Sequence, residues 1–200
     1  MATQTAPVRN WTYEEFARLP DDGNRYEVIA GELYVTPSPN SIHQQVVVRL
    51  VIDLGNFSNE HGAGILFSGP YDVIFGKGDY VQPDLAFVRR DRAGIVKEHG
   101  MVGTPDLVVE VLSDSTARRD RGIKCERYAA FGVPEYWIID TEAKQIEVLR
   151  LTGGELRRAE IATDFLRWQP MPGGPELVID VPHLLRPVDD YSSKPRVPRS

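Results

Sequence analysis

The sequence contains a single cysteine, Cys125, among 200 residues. One cysteine excludes an internal disulfide and any zinc site built from several cysteines. No apolar run approaches the roughly 20 residues that a membrane-spanning helix needs. The N-terminal stretch MATQTAPVRNWTYEEF lacks the apolar core of a secretion signal. We therefore expect a cytoplasmic protein with no membrane partner.

Several common functional motifs are also missing. The chain has no GxGxxG fingerprint, no GxxxxGK[ST] phosphate loop and no HExxH pair, which leaves the usual nucleotide-binding and zinc-protease functions without support. Ser113 and Ser115 lack the glycine pattern of a nucleophile elbow, so we interpret them as helix-capping residues.

Positive charge is in deficit, with 23 Lys and Arg against 29 Asp and Glu and a net charge of −6. This balance argues mildly against broad nucleic-acid binding, which usually shows a basic surface. A cluster of carboxylates changes sign once it binds divalent metal, however, so a metal-dependent enzyme is not excluded.

The chain is long enough for one domain with a substantial core, since 42% of its residues are hydrophobic. We expect a single domain over residues 11–186, preceded by a flexible N-terminus, 1–10. The proline-rich, polar segment 187–200 is typical of a disordered tail.

Residues 107–112 are apolar except for Glu110, which predicts a strand buried on both faces. A carboxylate in such a strand is costly unless it is paired or holds a metal. Glu110 is therefore the first candidate for a functional residue.

A helix is predicted from about Ala117 to Phe131, ending at the glycine and proline that follow. Within it Lys124, Tyr128 and Phe131 fall on one stripe. A lysine in line with two aromatic residues faces the core rather than solvent, which makes Lys124 the second candidate.

The third candidate is Asp84, near the middle of a predicted strand from Tyr80 to Val88. Adjacent strands lie about 4.8 Å apart, so inward carboxylates of Asp84 and Glu110 could share one cation. Mg²⁺ is usually held by one or two carboxylates, with waters and substrate phosphates in its other positions. The same acids and Lys124 could instead form a buried ion pair, and the residues alone leave both readings open.

Other elements add weaker candidates. A hairpin over residues 26–35 carries Glu27 and Glu32, either of which could point at a site or lie exposed on its strand. A helix opening at Ser41 places His43 in its first turn, where a capping or core role is the common one. The order from residue 41 is helix, strand, strand, strand, helix, strand, which predicts a mixed α/β core with helices packed against a sheet.

The sequence resembles the Uma-type endonucleases, long catalogued as a domain of unknown function, within the PD-(D/E)XK, restriction-endonuclease-like superfamily. Pro83-Asp84 followed by Glu110 matches the superfamily's proline–aspartate and acidic signature. The segments that carry the resemblance are WTYEEFARLP, RYEVIAGELYVTPSPNSIHQ, VQPDLAFV, PDLVVEVLSDST and RRDRGIKCERYAAFGVPEYWIID.

The resemblance implies an α/β fold with an αβββαβ core, a mixed central sheet flanked by helices, and hairpin additions at both ends. It implies phosphodiester hydrolysis with Mg²⁺ (or Mn²⁺), a DNA substrate, a homodimer, and Asp84 and Glu110 as metal ligands. The superfamily lysine would stand at Leu112, so Lys124 is interpreted as its migrated replacement. Glu32, Glu27 or His43 would complete the catalytic set.

Two other functions stay open. One is a non-catalytic module on the same fold that binds nucleic acid or protein. The other is a metal-dependent nuclease or phosphoesterase acting on RNA or on small phosphate esters.

Overall fold

The computed structural model describes residues 11–36, 38–76, 78–190 and 195–196. The predicted flexible N-terminus lies outside the described residues, as do eight positions of the predicted tail, 191–194 and 197–200.

The described residues form one long helix, α2, and several short ones. Residues typical of helix caps stand at both ends of α2. The Asn40 side chain accepts a hydrogen bond from the His43 backbone N–H at its start, and Gly62 ends it in the left-handed conformation (φ 59°). Within the described residues the helices are α1 (Tyr13–Phe16), α2 (Ser41–His61), a 3₁₀ helix (Arg90–Ile95), α3 (Ala117–Arg119), a π-helical turn (Asp120–Lys124), α4 (Cys125–Ala130) and α5 (Val181–Leu184).

Two six-stranded sheets and a two-stranded ribbon make up the rest of the described fold. The strands are β1 (Arg25–Ile29), β2 (Glu32–Thr36), β3 (Gly64–Ser68), β4 (Val73–Gly76), β5 (Asp79–Val81), β6 (Leu85–Arg89), β7 (Val96–Lys97), β8 (Gly100–Val102), β9 (Leu107–Val111), β10 (Glu135–Asp140), β11 (Gln145–Thr152), β12 (Glu155–Ala162), β13 (Phe165–Trp168) and β14 (Leu177–Asp180).

The first sheet, called the core sheet below, has the strand order β12-β11-β10-β9-β6-β3. Taken with α2 and the helical segment from α3 to α4, its strands β3, β6, β9 and β10 form the predicted αβββαβ core. β9 pairs in parallel with β10 and antiparallel with β6. The predicted fold class is thus confirmed, including the C-terminal hairpin β11–β12.

Strand β9 lies at the centre of this sheet, and all five of its residues are buried. Val109 faces the core that α2 and the ribbon cover, whereas Val108 faces the other sheet. The prediction of a central strand covered on both faces, with Tyr136 and its neighbours alongside, is confirmed.

The second sheet, ordered β2-β1-β5-β4-β8-β7, packs its apolar face against the first. It contains the predicted N-terminal hairpin, β1–β2. The single strand expected from Tyr80 to Val88 is instead two strands, β5 and β6, one in each sheet. Pro83 breaks the run because proline has no N–H to give to a ladder, and Asp84 therefore lies where the chain passes between the sheets.

Among the described residues, no helix is both long enough and apolar enough to cross a membrane.

Candidate active site

Asp84 is held in a fixed orientation at the start of β6. One carboxylate oxygen, Oδ2, accepts a hydrogen bond from the Val111 backbone N–H (2.8 Å) and lies 3.0 Å from His43 Nε2. The other, Oδ1, accepts from an Arg25 N–H at 2.8 Å. Because Val111 follows Glu110 directly, the bond to its amide ties Asp84 to the strand that carries the second acidic candidate.

Glu110 and Lys124 are in direct contact, although 14 positions separate them in sequence. Lys124 Nζ donates to Glu110 Oε1 at 2.6 Å, and the Tyr128 hydroxyl donates to the same oxygen at 2.8 Å. Glu110 is 3% exposed and Lys124 is 2% exposed. The stripe that suggested an inward-facing lysine is therefore observed, and the buried ion pair is observed with it.

The predicted continuous helix from Ala117 to Phe131 is interrupted by the π-helical turn that ends at Lys124. Gly122 has a non-helical conformation (φ −106°, ψ −107°) that displaces the helix path there. Such turns change which face of a helix a side chain occupies, and they are frequent at functional sites. Here the turn also buries Asp120, whose Oδ1 lies 3.8 Å from Lys124 Nζ.

Of the two hairpin carboxylates, the structure brings Glu27 into the cluster and leaves Glu32 outside it. Glu27 Oε1 lies 2.8 Å from Lys124 Nζ, and Glu27 is 1% exposed. Glu32 is exposed at the first position of β2, where it accepts a hydrogen bond from the Tyr34 hydroxyl. Glu32 pairs with Ile29 at the turn, on the same face as Glu27 but two positions farther along the hairpin, and only Glu27 reaches Lys124.

His43 lies in the first turn of α2 and is 5% exposed. Its backbone N–H is capped by Asn40, while its ring contacts Asp84. The Nδ1 atom is buried and has no hydrogen-bond partner. Asn40 is thus the cap of the helix, and the buried ring of His43 belongs to the candidate site.

The acidic groups differ sharply in their proton affinities. Burial and the neighbouring carboxylates of Asp120, Asp84 and Glu27 outweigh the attraction of Lys124 and raise the pKa of Glu110 to about 8. Burial opposes the charged form of Asp84 as well, but His43 and Arg25 outweigh it and lower that pKa to about 2. Glu110 therefore takes up a proton at a higher pH than Asp84 does.

These side chains line one cavity of about 220 Å³. Its wall carries five carboxyl groups against three Lys and Arg side chains among the described residues. The lining residues are Arg25, Glu27, Thr36, Ser38, Pro39, Asn40, His43, Asp84, Glu110, Val111, Ser113, Asp114, Ser115, Thr116, Arg119, Asp120 and Lys124.

The donor set of this cavity suits a hard divalent cation. Carboxylate oxygens are the ligands that Mg²⁺ prefers, and it commonly takes only one or two of them from a protein. In the described part of the chain, no group of three or more His, Cys, Asp or Glu side chains is arranged to hold a metal ion. Asp84 and Glu110 are the two acids that would contribute.

The fold and the acidic cavity together are those of a restriction-endonuclease-like protein. The chain matches the Uma2 family, described as "Putative restriction endonuclease", over residues 13–182. The match covers most of the chain, so the protein belongs to this family. The resemblance noted in the sequence is confirmed.

A solved structure is similar to the whole fold. It is the crystal structure of a "putative nuclease belonging to DUF820" from Anabaena variabilis, with a TM-score of 0.71 and 17% sequence identity. The alignment covers 88% of this chain and 97% of that one. A search of curated proteins finds no match.

Sequence reasoning missed several members of the cavity wall, among them the charged residues Arg25, Arg119 and Asp120. Arg25 immediately precedes the predicted hairpin, and its contact with Asp84 spans 59 positions of the chain. Asp120 stands four residues before Lys124, a spacing that predicts a contact on any helix. That spacing was the one available signal.

Proposed function

We propose that the protein is a divalent-metal-dependent endonuclease that hydrolyses DNA phosphodiester bonds. One observation supports this most directly. Asp84, Glu110 and Lys124, drawn from a strand start, a strand and a helix, converge on one cavity. Family membership supports a nuclease, the donor set of the cavity supports the metal, and the DNA substrate follows the resemblance of the sequence.

In this proposal Asp84 and Glu110 hold Mg²⁺ or Mn²⁺. When bound, the ion would supply Lewis-acid activation of the phosphate and of the attacking water. The excess of carboxylate around Glu110 favours such a cation, because a divalent ion would replace the proton that this residue otherwise carries. A cavity wall with more carboxyl groups than Lys and Arg side chains also needs a cation before it can accept an anionic phosphodiester.

Lys124 has the task of the superfamily lysine. Its ammonium is fixed between Glu27 and Glu110 at 2.8 and 2.6 Å. From that position it can orient a water or stabilise negative charge on the phosphate in the transition state. Glu27 serves as a positioning residue, and His43 holds the carboxylate of Asp84.

A plasmid-nicking assay with Mg²⁺ and with Mn²⁺ tests the proposal. The wild-type protein should relax supercoiled plasmid with either ion and should not do so in chelator. Asp84→Ala, purified in parallel, should be inactive. Nicking that survives in Asp84→Ala would trace the activity to a contaminant or to another site. Binding of plasmid without cleavage would favour the non-catalytic module.

The choice of DNA over RNA is tested by competition. Unlabelled RNA should inhibit cleavage of labelled DNA much less than unlabelled DNA of the same length and sequence. The reverse order would favour an RNA substrate. A second copy of the chain as partner is also part of the proposal, and light scattering of the purified protein measures it directly.

A further inference from the structure

A second cavity of about 250 Å³ adjoins the first. The two share part of their walls, namely Arg25, Ser38, Pro39, His43 and Asp84. Asp84 therefore stands at the junction, with one cavity on each side of it. A substrate whose phosphate reaches Asp84 must place a neighbouring group in the second cavity or against its mouth.

The wall of the second cavity differs in chemistry from that of the first. It combines the apolar surfaces of Val47, Pro39 and Pro70 with the amide side chains of Asn24 and Gln44. Flat apolar surface beside amide donors and acceptors suits a nucleobase, because amides pair with base edges.

A phosphate is a poor fit there. Among the described residues that line the second cavity, Arg25 is the only Lys or Arg, and its guanidinium is already hydrogen-bonded to Asp84. Asp21 adds negative charge to the same wall. The two cavities thus divide the two parts of a nucleotide between them.

The candidate acids also lie deep. Asp84 is 4% exposed and Glu110 is 3% exposed. Each cavity is smaller than the roughly 300–1,000 Å³ of pockets that hold drug-sized ligands, so each holds one small group, such as a base or a phosphate, and not a longer stretch of nucleic acid. A paired, stacked duplex cannot deliver a base and its phosphate into two such recesses.

Resting on the proposed function, we propose that the nucleotide beside the scissile phosphate is bound unpaired, with its base in the second cavity. A base can enter a pocket only when it is out of the stack, and this is least costly when it is already single-stranded. The substrate class is therefore single-stranded DNA or an unpaired segment within a duplex, in preference to intact duplex.

Binding of oligonucleotides by the Asp84→Asn protein tests this without cleavage. Fluorescence anisotropy in chelator, where the charge lost from Asp84 takes the place of a bound cation, compares a labelled single strand with the same strand annealed to its complement. The single strand should bind at least about tenfold more tightly, or about 1.4 kcal/mol. Equal or tighter binding of duplex would overturn the inference, and so would undetectable binding of the single strand.

A filling substitution locates the base. Gln44→Trp, in the same Asp84→Asn background, places a large ring at the second cavity and should weaken single-strand binding about tenfold. Asn56→Trp is the matched control, because Asn56 is exposed on the same helix about three turns away. Its binding should equal that of the parent. Loss of binding in both proteins, or in neither, would count against the second cavity.

The failure of this inference is distinct from failure of the proposed function. Wild-type protein that cuts intact duplex as fast as single strand is a nuclease, but it does not bind an unpaired base. Wild-type protein that cuts nothing, while Gln44→Trp selectively weakens single-strand binding, retains the base site and refutes the proposed catalysis.

Discussion

Two Pro-Asp pairs stand at the starts of neighbouring strands, and only one of them belongs to the site. Pro83-Asp84 precedes β6 and Pro105-Asp106 precedes β9. Because β6 and β9 are antiparallel, the two aspartates lie at opposite ends of the pair. They provide a comparison of the same dipeptide in two surroundings within one sheet.

The backbone contacts of the two aspartates are equivalent. Asp84 Oδ2 accepts from the Val111 N–H, at the far end of β9, at 2.8 Å. Asp106 Oδ2 accepts from the Arg89 N–H, at the far end of β6, also at 2.8 Å. Each aspartate thus terminates the other strand's ladder by taking up an N–H group.

Each aspartate is also held by an arginine in the same way. Arg25 donates to Asp84 Oδ1 and to the carbonyl of Gln82, two residues before that aspartate. Arg92 donates to Asp106 Oδ1 and to the carbonyl of Thr104, two residues before the other. The arrangement of Pro-Asp with an arginine is a structural device for ending a strand, and it occurs twice.

The two aspartates differ in the charged side chains around them. At the Asp106 end, Arg89 and Arg92 balance the carboxylate. At the Asp84 end, further carboxyl groups surround a single buried ammonium, that of Lys124. The Pro-Asp pair by itself therefore does not distinguish the two ends, and the additional carboxylates do.

The largest expected difference between the two ends is in stability. Lys124→Ala leaves Glu110 buried without its cation and removes the nearer of the two cations that pair with Glu27, which should cost about 3–5 kcal/mol. Arg92→Ala removes a side chain that is 34% exposed, and such a pair is worth about 1 kcal/mol or less. Urea unfolding of both variants in chelator measures this. Similar losses in the two variants would show that burial does not separate the two ends.

The second-largest expected difference is in the rate of DNA cleavage after substitution of Asp84 or of Asp106. Asp84→Asn should lower the rate of DNA cleavage on the order of 100-fold, about 2.7 kcal/mol, because an amide is a poor ligand for Mg²⁺. Asp106→Asn keeps the same shape at the other end and should cleave at the wild-type rate. Calorimetric Mg²⁺ binding should be lost in the first variant and kept in the second. A loss of both in Asp106→Asn would contradict the assignment of that end as structural.

Substitutions of the two hairpin carboxylates, Glu27 and Glu32, should differ less in their effect on the cleavage rate. Glu27→Gln removes a charge that holds Lys124 and should slow cleavage about 10-fold, as losses of supporting groups commonly do. Glu32→Gln changes an exposed residue outside the cluster, so its rate should be unchanged. Initial rates at saturating DNA measure both. A defect confined to Glu32→Gln would restore the alternative that the sequence left open.

The last prediction concerns the pH dependence of folding stability, which has opposite signs at Glu110 and Asp84. The folded-state pKa of Glu110 is raised from 4.5 to about 8. Its contribution to the free energy of unfolding is therefore fully present below pH 4.5 and is lost as the pH rises toward 8. The pKa of Asp84 is lowered from 3.8 to about 2. Its contribution to the free energy of unfolding is therefore fully present above pH 3.8 and is lost as the pH falls toward 2. Glu110→Gln should flatten the alkaline limb of metal-free stability and leave the acid limb alone. An unchanged alkaline limb would mean that Glu110 is not the group that carries the extra proton.

The sequence was sufficient for the sheet core because its signals are local. The apolar run of β9, the caps of α2 and the turn at Gly153 each depend on neighbouring residues. It also indicated Asp84, Glu110 and Lys124, through strand alternation, helix periodicity and the family resemblance.

The rest of the site depends on contacts between distant segments. How the hairpin packs on the core decides that Glu27 and not Glu32 enters the site. Arg25 reaches Asp84 from β1, a strand of the second sheet. The π-helical turn is likewise decided by packing, since Gly122 permits several backbone paths. No local pattern records these outcomes.

The division of the chain between two sheets has a consequence for the order of folding. β4 and β5 lie between β3 and β6 in sequence, and β7 and β8 lie between β6 and β9, so the sheet that brings Glu27 is built from separate excursions of the chain. The hairpin that carries Glu27 joins the rest of its sheet through the pair Val28 and Tyr80, which are 52 positions apart, and such non-local pairing forms slowly. An intermediate with only the core sheet would hold Glu110 without the carboxylate that fixes Lys124. Competence to cut nucleic acid would thus arrive late in folding, when the chain is already compact.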